Sequence, residues 1–287
     1  MAIVTDHFEE YRRLLFGTAY RMLGSVADAE DIVQDAWLAW HRTDRAAVDN
    51  PKAYLVRTVT NLSLNRLKSA QVVREAYVGP WLPEPLLTSP DIAEEAELAD
   101  TVSMAVLVVL ETLTPTERAV FVLREVFGYS HAEIAEVVGK SEAAVRQSAH
   151  RAREHVQARR PRFTTEVAEQ REIAEKFRAA CAGGDLGEVL SLLAPDVVSW
   201  SDGGGVVTAA RRPLHGPDHV ARWFLGVLAK PEVRGVEMHP AEINGEPGLL
   251  LVYGGVNAGA LTFESAGGRI TALRLAINPE KLRGLQP

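Results

Sequence analysis

Phe8, Tyr11, Leu15, Ala19 and Met22 recur at spacings of three and four, an apolar stripe that predicts an amphipathic helix early in the chain. Gly24 stops it, and Ser25 with Asp28 supplies an N-cap and a third-position acid for a second helix. Asn50-Pro51 opens a third, because proline is favoured at the first helical position. On that helix Leu55, Val59 and Leu62 lie opposite a polar stripe of Tyr54, Arg57, Asn61, Asn65 and Lys68. Residues 71–101 lose the period, and Gly79-Pro80-Trp81-Leu82-Pro83-Glu84-Pro85 cannot form a regular helix, so this stretch reads as a linker. A second helical block runs from about Val102 to Arg160. Beyond Thr165 one amphipathic helix (Val167, Ile173, Phe177, Ala180) ends at Gly183-Gly184. Short β-like runs follow at Val197–Ser201, Val206–Ala210, Gly248–Tyr253, Ala258–Phe263 and Arg269–Ile277, split by glycines. That segment reads as α+β with a curved antiparallel sheet.

Within the second block, Thr114-Pro115-Thr116-Glu117 joins cap, proline and capping-box acid in one start signal. Ser130 and Glu133 form another capping box, Ile134, Ala135 and Val138 give an inward face, and Gly139 allows a tight turn. Ser141 then caps a second helix anchored by Val145. A small residue, a turn glycine and a β-branched core residue at these spacings suit a helix-turn-helix. At 100° per residue, Val145, Ser148, Ala149, Ala152 and Val156 share one face of the second helix. Glu142, Arg146, His150 and Arg153 share another, with Gln147 at its edge, and could offer donors to a major groove. The competing reading is a helical hairpin with a basic solvent face.

Composition changes this picture less than charge does. The chain has 287 residues, enough for about two domains at roughly 100–200 residues each, although the patterning favours three folded units. Its longest apolar run, Val102 to Leu110 interrupted by Ser103, is far short of the ~20 residues of a membrane span, and acids near Met1 do not suit a signal peptide. The single cysteine, Cys181, excludes an internal disulfide or a cysteine-based zinc cluster and fits a cytoplasmic setting; no metal or cofactor is expected. A net charge of −7 would argue against nucleic acid, but the charge is segregated. Lys52 to Arg74 carries five bases and no acid, and Lys140 to Arg162 seven bases against two acids. Glu75 to Glu117 carries nine acids and no Lys or Arg. On the second helix Asp28, Asp31 and Asp35 stack at three- and four-residue spacing, an edge that repels DNA and suits a protein partner.

Three stretches now amount to a resemblance: Ala29-Glu-Asp-Ile-Val-Gln-Asp-Ala-Trp37, the Tyr54-Leu-x-Arg-x-x-x-Asn-Leu62 helix, and the block from Leu113-Thr-Pro-x-Glu-Arg118 through Ser130-x-x-Glu-Ile-Ala135 to His150-Arg-Ala-Arg153. Together they resemble the bacterial extracytoplasmic-function sigma factors. The resemblance implies a region 2 domain at 1–72, a linker at 73–102 and a region 4 helix-turn-helix domain at 103–162. Core RNA polymerase would be bound through Asp28, Glu30, Asp31, Gln34 and Asp35. The −10 strand would be held by Tyr54, Arg57, Asn61, Asn65 and Lys68, helped by the loop from His41 to Asn50. The −35 element would be read by Glu142, Arg146, Gln147, His150 and Arg153. Arg146-Gln-Ser-Ala-His150 departs from the family's more usual run, so base preference does not carry over by position.

Trp81-Leu-Pro-Glu-Pro85, Asp202-Gly-Gly-Gly205 and Asn278-Pro-Glu-Lys-Leu282 are similar to motifs of the sigma J-like subgroup. Its members add a SnoaL-like domain of the NTF2-like fold, here 163–287, thought to regulate the factor in place of a separate anti-sigma protein. The fold class implied is thus multidomain, two all-α sigma domains followed by an α+β NTF2-like cone. Regulatory contacts would come from Trp81, Pro83, Asp202, Gly203, Gly204, Asn278 and Pro279. Such a cone can hold a small ligand, and Asp202, His215, His219 and Trp200 are residue types that related isomerases use. Turn and cap roles explain them better, so no catalytic residue is expected. The expected partners are core RNA polymerase and promoter DNA, with a small ligand in the cone open, and no membrane.

Overall fold

The structure is a computed structural model that describes residues 7–88, 103–159 and 166–285. It divides into two compact units, one of residues 1–75 and 106–160, the other of 76–105 and 161–287. The two helical blocks thus belong to one unit, and the described part of the linker belongs to the other. Asp91, Glu94, Glu95, Glu97 and Asp100 of the acidic stretch, and Arg160 and Arg162 of the basic one, lie outside the described residues.

In the helical unit, α1 (His7–Leu23) packs on α2 (Val26–Arg42) and α3 (Pro51–Glu75). Phe8, Leu15, Ala19 and Met22 of the expected stripe are buried, with Tyr11 at its half-buried edge. Gly24 takes a left-handed φ of 66°, and the Ser25 hydroxyl accepts the Asp28 amide at 3.1 Å, so α1 ends and α2 begins within two residues. Asn50 caps α3 by accepting the Ala53 amide at 3.0 Å.

The second block is more broken than its hydrophobicity suggests: α4 (Met104–Leu110) stops before α5 (Pro115–Phe121), whose last turn widens into a π-type segment at Val122–Val126. Thr114 and Glu117 complete the capping box of α5. Arg118, 2% exposed, ties α5 to its neighbours: its guanidinium donates to the Leu110 and Met22 carbonyls at 2.8 and 2.6 Å and pairs with Glu111 at 2.7 Å.

The second unit is the expected α+β cone. Helices α8 (Val167–Gly183), α9 (Leu186–Leu192) and α10 (Pro217–Leu228) accompany six strands, β1 (Leu193–Asp202), β2 (Leu214–His215), β3 (Glu237–Ile243), β4 (Glu246–Tyr253), β5 (Val256–Ala266) and β6 (Arg269–Ala276). The sheet order is β2-β1-β6-β5-β4-β3, antiparallel except where β1 runs parallel to β6. Phe177, Phe224, Phe263 and Leu273 centre the core between the helices and one sheet face, the three rings meeting edge to face. Alternation sends Ala260 to the other face, where Leu282 and Leu285 of a 3₁₀ tail (Pro279–Leu285) pack on it with Ile243.

Two strand expectations change. Val206–Ala210 is a loop, because the amides of Val206 and Val207 turn back onto the Gly203 carbonyl, each at 3.0 Å. Conversely, β3 carries Pro240 and two acids, a pattern that hides a strand yet suits a sheet edge. The linker uses that edge: Leu86 exchanges hydrogen bonds with Asn244, Leu87 bridges Ile243, and the Thr88 amide donates to the Glu242 carbonyl.

Candidate nucleic-acid interface and linker clamp

Helix α6 (His131–Val138) starts at the Ser130–Glu133 capping box and ends at Gly139, whose φ of 66° an L side chain rarely adopts. Ser141 caps α7 (Glu142–Arg159) through the Ala144 amide at 3.3 Å. Val145, Ser148, Ala149, Ala152 and Val156 are all buried against the unit, and Glu142, Arg146, Gln147, His150 and Arg153 are all exposed. The exposed set is not uniform. Arg153 reaches back to Glu125 at 2.5 Å, while Arg146 pairs along the helix with Glu142 at 3.3 Å and His150 with Glu154 at 3.5 Å. Surface pairs of this kind contribute about 0–1 kcal/mol and exchange readily for another anion.

On α3, Arg57, Asn61, Asn65 and Lys68 form an exposed row. Tyr54 differs: it is half-buried, its hydroxyl lies 2.8 Å from Thr43 Oγ1 and its ring 5.7 Å from that of Trp40. It anchors the end of α2, its hydroxyl engaged by Thr43.

The carboxylate edge of α2 is likewise divided. Asp28 accepts Arg66 Nε at 2.9 Å, Asp31 lies 3.6 Å from the same guanidinium, and Glu30 pairs with Arg12 at 2.9 Å. Arg66 is held charged above its ordinary range by the hydrogen bond to Asp28 first and its charge second. Gln34 and Asp35 are exposed beside Trp37 and Leu38, two large apolar side chains more than a third exposed. Sequence reasoning passed over these two, although both stand beside the acidic edge.

The seven nominated regulatory residues converge in the C-terminal unit. Asp202 is fully buried and accepts four hydrogen bonds from described residues. Tyr77 Oη and the Gly204 amide donate to Oδ1 at 2.6 and 3.1 Å; the Leu82 amide and Lys281 Nζ donate to Oδ2 at 2.8 and 2.7 Å. Lys281, 7% exposed, also donates to the Leu82 carbonyl and sits 3.8 Å from the centre of the Trp81 ring. Asn278 Nδ2 donates to Tyr77 Oη at 2.8 Å, while Pro279 starts the 3₁₀ tail. A Cβ at Gly204 would stand 2.3 Å from that Nδ2, and one at Gly203 2.2 Å from the Val207 carbonyl, so both positions require glycine. Burial, then the contact with Asp202, pushes the Tyr77 phenol above its ordinary range and keeps it a donor. Pro83 is buried beside Leu82. Tyr77 and Lys281 were not among the nominated residues; the signal for Lys281 was that a buried carboxylate needs a cation.

The four isomerase-type residues do not converge. Asp202 serves the clamp, and Trp200 lies under the Arg274 guanidinium at 5.2 Å. His215 and His219 are exposed, His219 bonded to the His215 carbonyl at 3.1 Å. None of them lines the apolar cavity of the cone. Arg274 pairs with Glu264, and nearby Glu246 is pushed up to about 7 by burial first and the Glu264 charge second, against Arg274. Cys181 is buried, which raises its thiol to about 12 and leaves it unreactive. Among the described residues no cluster could hold a metal ion, and no helix is long and apolar enough to cross a membrane.

Comparison with known proteins joins these surfaces. Residues 7–72 match the family Sigma-70 region 2, and residues 103–156 the family Sigma-70, region 4. The ECF RNA polymerase sigma factor SigJ of Mycobacterium tuberculosis is 39% identical across 97% of this chain and 93% of its own length. SigI of the same species is 32% identical across 99% of this chain and 96% of its own. The crystal structure of SigJ aligns with a TM-score of 0.78 at 38% identity, covering 97% of this chain and 98% of that one. Helix-turn-helix, acidic helix and cone are therefore parts of one known design: the chain belongs to the extracytoplasmic-function sigma factors, which act in transcription initiation.

Proposed function

We propose that the chain directs core RNA polymerase to promoters by reading a −35 element with α7 and holding the −10 strand on α3, and that the cone modulates this through the linker. The observation that carries the reading is the two-sided α7: small and β-branched residues bury one face while Arg146, Gln147 and His150 stand together on the other. That arrangement suits a helix seated in a major groove, where Arg146 is the donor most able to read a guanine. On α3, Arg57, Asn61, Asn65 and Lys68 suit a single strand tracked by its backbone, with Tyr54 as the wall of its path. Polymerase contact falls to the exposed acidic–apolar patch of Gln34, Asp35, Trp37 and Leu38. Asp28, Asp31 and Glu30 set the edge of that patch through Arg66 and Arg12.

Modulation is supported by the linker clamp: the segment leading towards the helix-turn-helix is fastened to the cone by a buried carboxylate. Run-off transcription with core polymerase, on promoters selected by the full chain, tests the whole reading. Arg146→Ala should reduce output on all of them, whereas Asp202→Ala should change output with −35 affinity intact. Promoter-independent output from every variant would refute it.

A further inference from the structure

The cone contains a cavity of about 460 Å³ whose lining includes none of the four residues that donate to Asp202. Leu251 and Leu275 line it from the sheet, Ile277 from just beyond β6, and Trp223, Val227 and Leu228 from α10. Among the described residues lining it there is no lysine, arginine, histidine or aspartate, and the one carboxylate, Glu232, is exposed. An anion entering it would find no countercharge and a cation no buried carboxylate, so either would be desolvated without compensation. Around the mouth, Val207, Tyr253 and Val256 leave large apolar side chains in water, Val256 as much as 55% exposed. Both the volume and the lining fall within the range of small-molecule sites.

We propose that this cavity binds an uncharged, largely apolar small molecule of roughly 15–20 non-hydrogen atoms, the size that fills such a space at protein packing density. The wall that meets the ligand includes Leu282, next to the clamp cation Lys281, and Val207 with Thr208, in the loop that begins at the clamp carboxylate Asp202. A bound molecule therefore orders both segments that hold the linker and favours the fastened state over the released one. This consequence rests on the modulation proposed above; the binding itself does not.

The test is titration of the full chain with N-phenyl-1-naphthylamine, a neutral aromatic probe of 17 non-hydrogen atoms (about the size that fills the cavity) whose emission rises in apolar surroundings. Saturable binding of one equivalent is expected, with the sulfonated analogue 1-anilinonaphthalene-8-sulfonate at least tenfold weaker. Val207→Arg, on the exposed rim where folding is not at stake, and Val227→Asp, in the wall, should each weaken binding at least tenfold. Lack of saturable binding, equal affinity for the sulfonated probe, or unchanged affinity in both variants overturns the site. Hydrogen exchange at the Leu82 amide, with and without probe, separates the two claims. Slower exchange supports the coupling, and unchanged exchange with probe bound refutes the coupling while retaining the site.

Discussion

Asp202→Ala removes the acceptor of four hydrogen bonds and leaves the Lys281 ammonium buried without its carboxylate. Breaking a buried ion pair from one side costs about 3–5 kcal/mol, since the surviving charge stays desolvated. That cost falls on the fastened state of the linker and not on the helices of the other unit. Because each 1.4 kcal/mol is a factor of ten, local opening should become roughly 10²–10⁴-fold more frequent. The Leu82 amide reports it directly, being a donor to Asp202 itself, and its hydrogen exchange should accelerate by that factor. Tyr77→Phe keeps the ring and loses two hydrogen bonds, one to Asp202 and one from Asn278, so its acceleration should be roughly thirtyfold, from about 2 kcal/mol. Asp202→Asn combined with Lys281→Met removes both charges and should recover most of the protection. If Leu82 exchanges at the wild-type rate in Asp202→Ala, the carboxylate does not hold the linker and the argument fails.

Other outcomes follow from the same geometry. Arg146→Ala should weaken binding to a −35 duplex by ~1–3 kcal/mol if it reads a guanine, measured by fluorescence anisotropy at fixed salt; unchanged affinity removes it from the reading surface. Arg118→Met removes the ion pair with Glu111 and the hydrogen bonds to the Leu110 and Met22 carbonyls, and thermal unfolding of the helical unit should lose ~3–5 kcal/mol. Glu246 binds its proton more tightly folded than unfolded, so its stabilisation is complete below about 4.5 and is lost as pH rises through about 7. The loss amounts to about 3 kcal/mol, at about 1.4 kcal/mol per tenfold change in proton affinity. Glu246→Gln should flatten the protection of β4 amides between pH 5 and 8, and a slope equal to wild type would refute the assignment.

Local features were legible in the sequence. Ser25, Thr114 and Ser130 cap helices through atoms three residues away, and the buried face of α7 follows from helical period alone, so neither needs knowledge of the rest of the chain. Partnerships across long separations were not. Arg66 meets Asp28 and Asp31 because α3 returns beside α2, which converts half of an apparently free carboxylate edge into an internal contact. Nor could the sequence show that the Tyr54 hydroxyl meets Thr43, eleven residues away. Val206–Ala210 has the composition of a strand, yet the glycines before it close a turn that takes the Val206 and Val207 amides back to the Gly203 carbonyl. The clamp residues Trp81, Asp202 and Asn278 were nominated by resemblance. Which atom meets which, and that Tyr77 and Lys281 complete the set, required the fold.

The clamp also imposes an order of events on the ribosome. Tyr77 and Leu82 emerge early, but Lys281, which closes the site around Asp202, is synthesised about 120 residues after α7 is complete. At about 5–20 residues per second that interval is roughly 6–25 s. In the course of it both helical blocks leave the ribosome and become able to fold, while the segment between them is still unfastened. Every nascent chain therefore passes through a period in which its helical unit exists before the linker is fastened, and a chain interrupted before Lys281 remains in that condition.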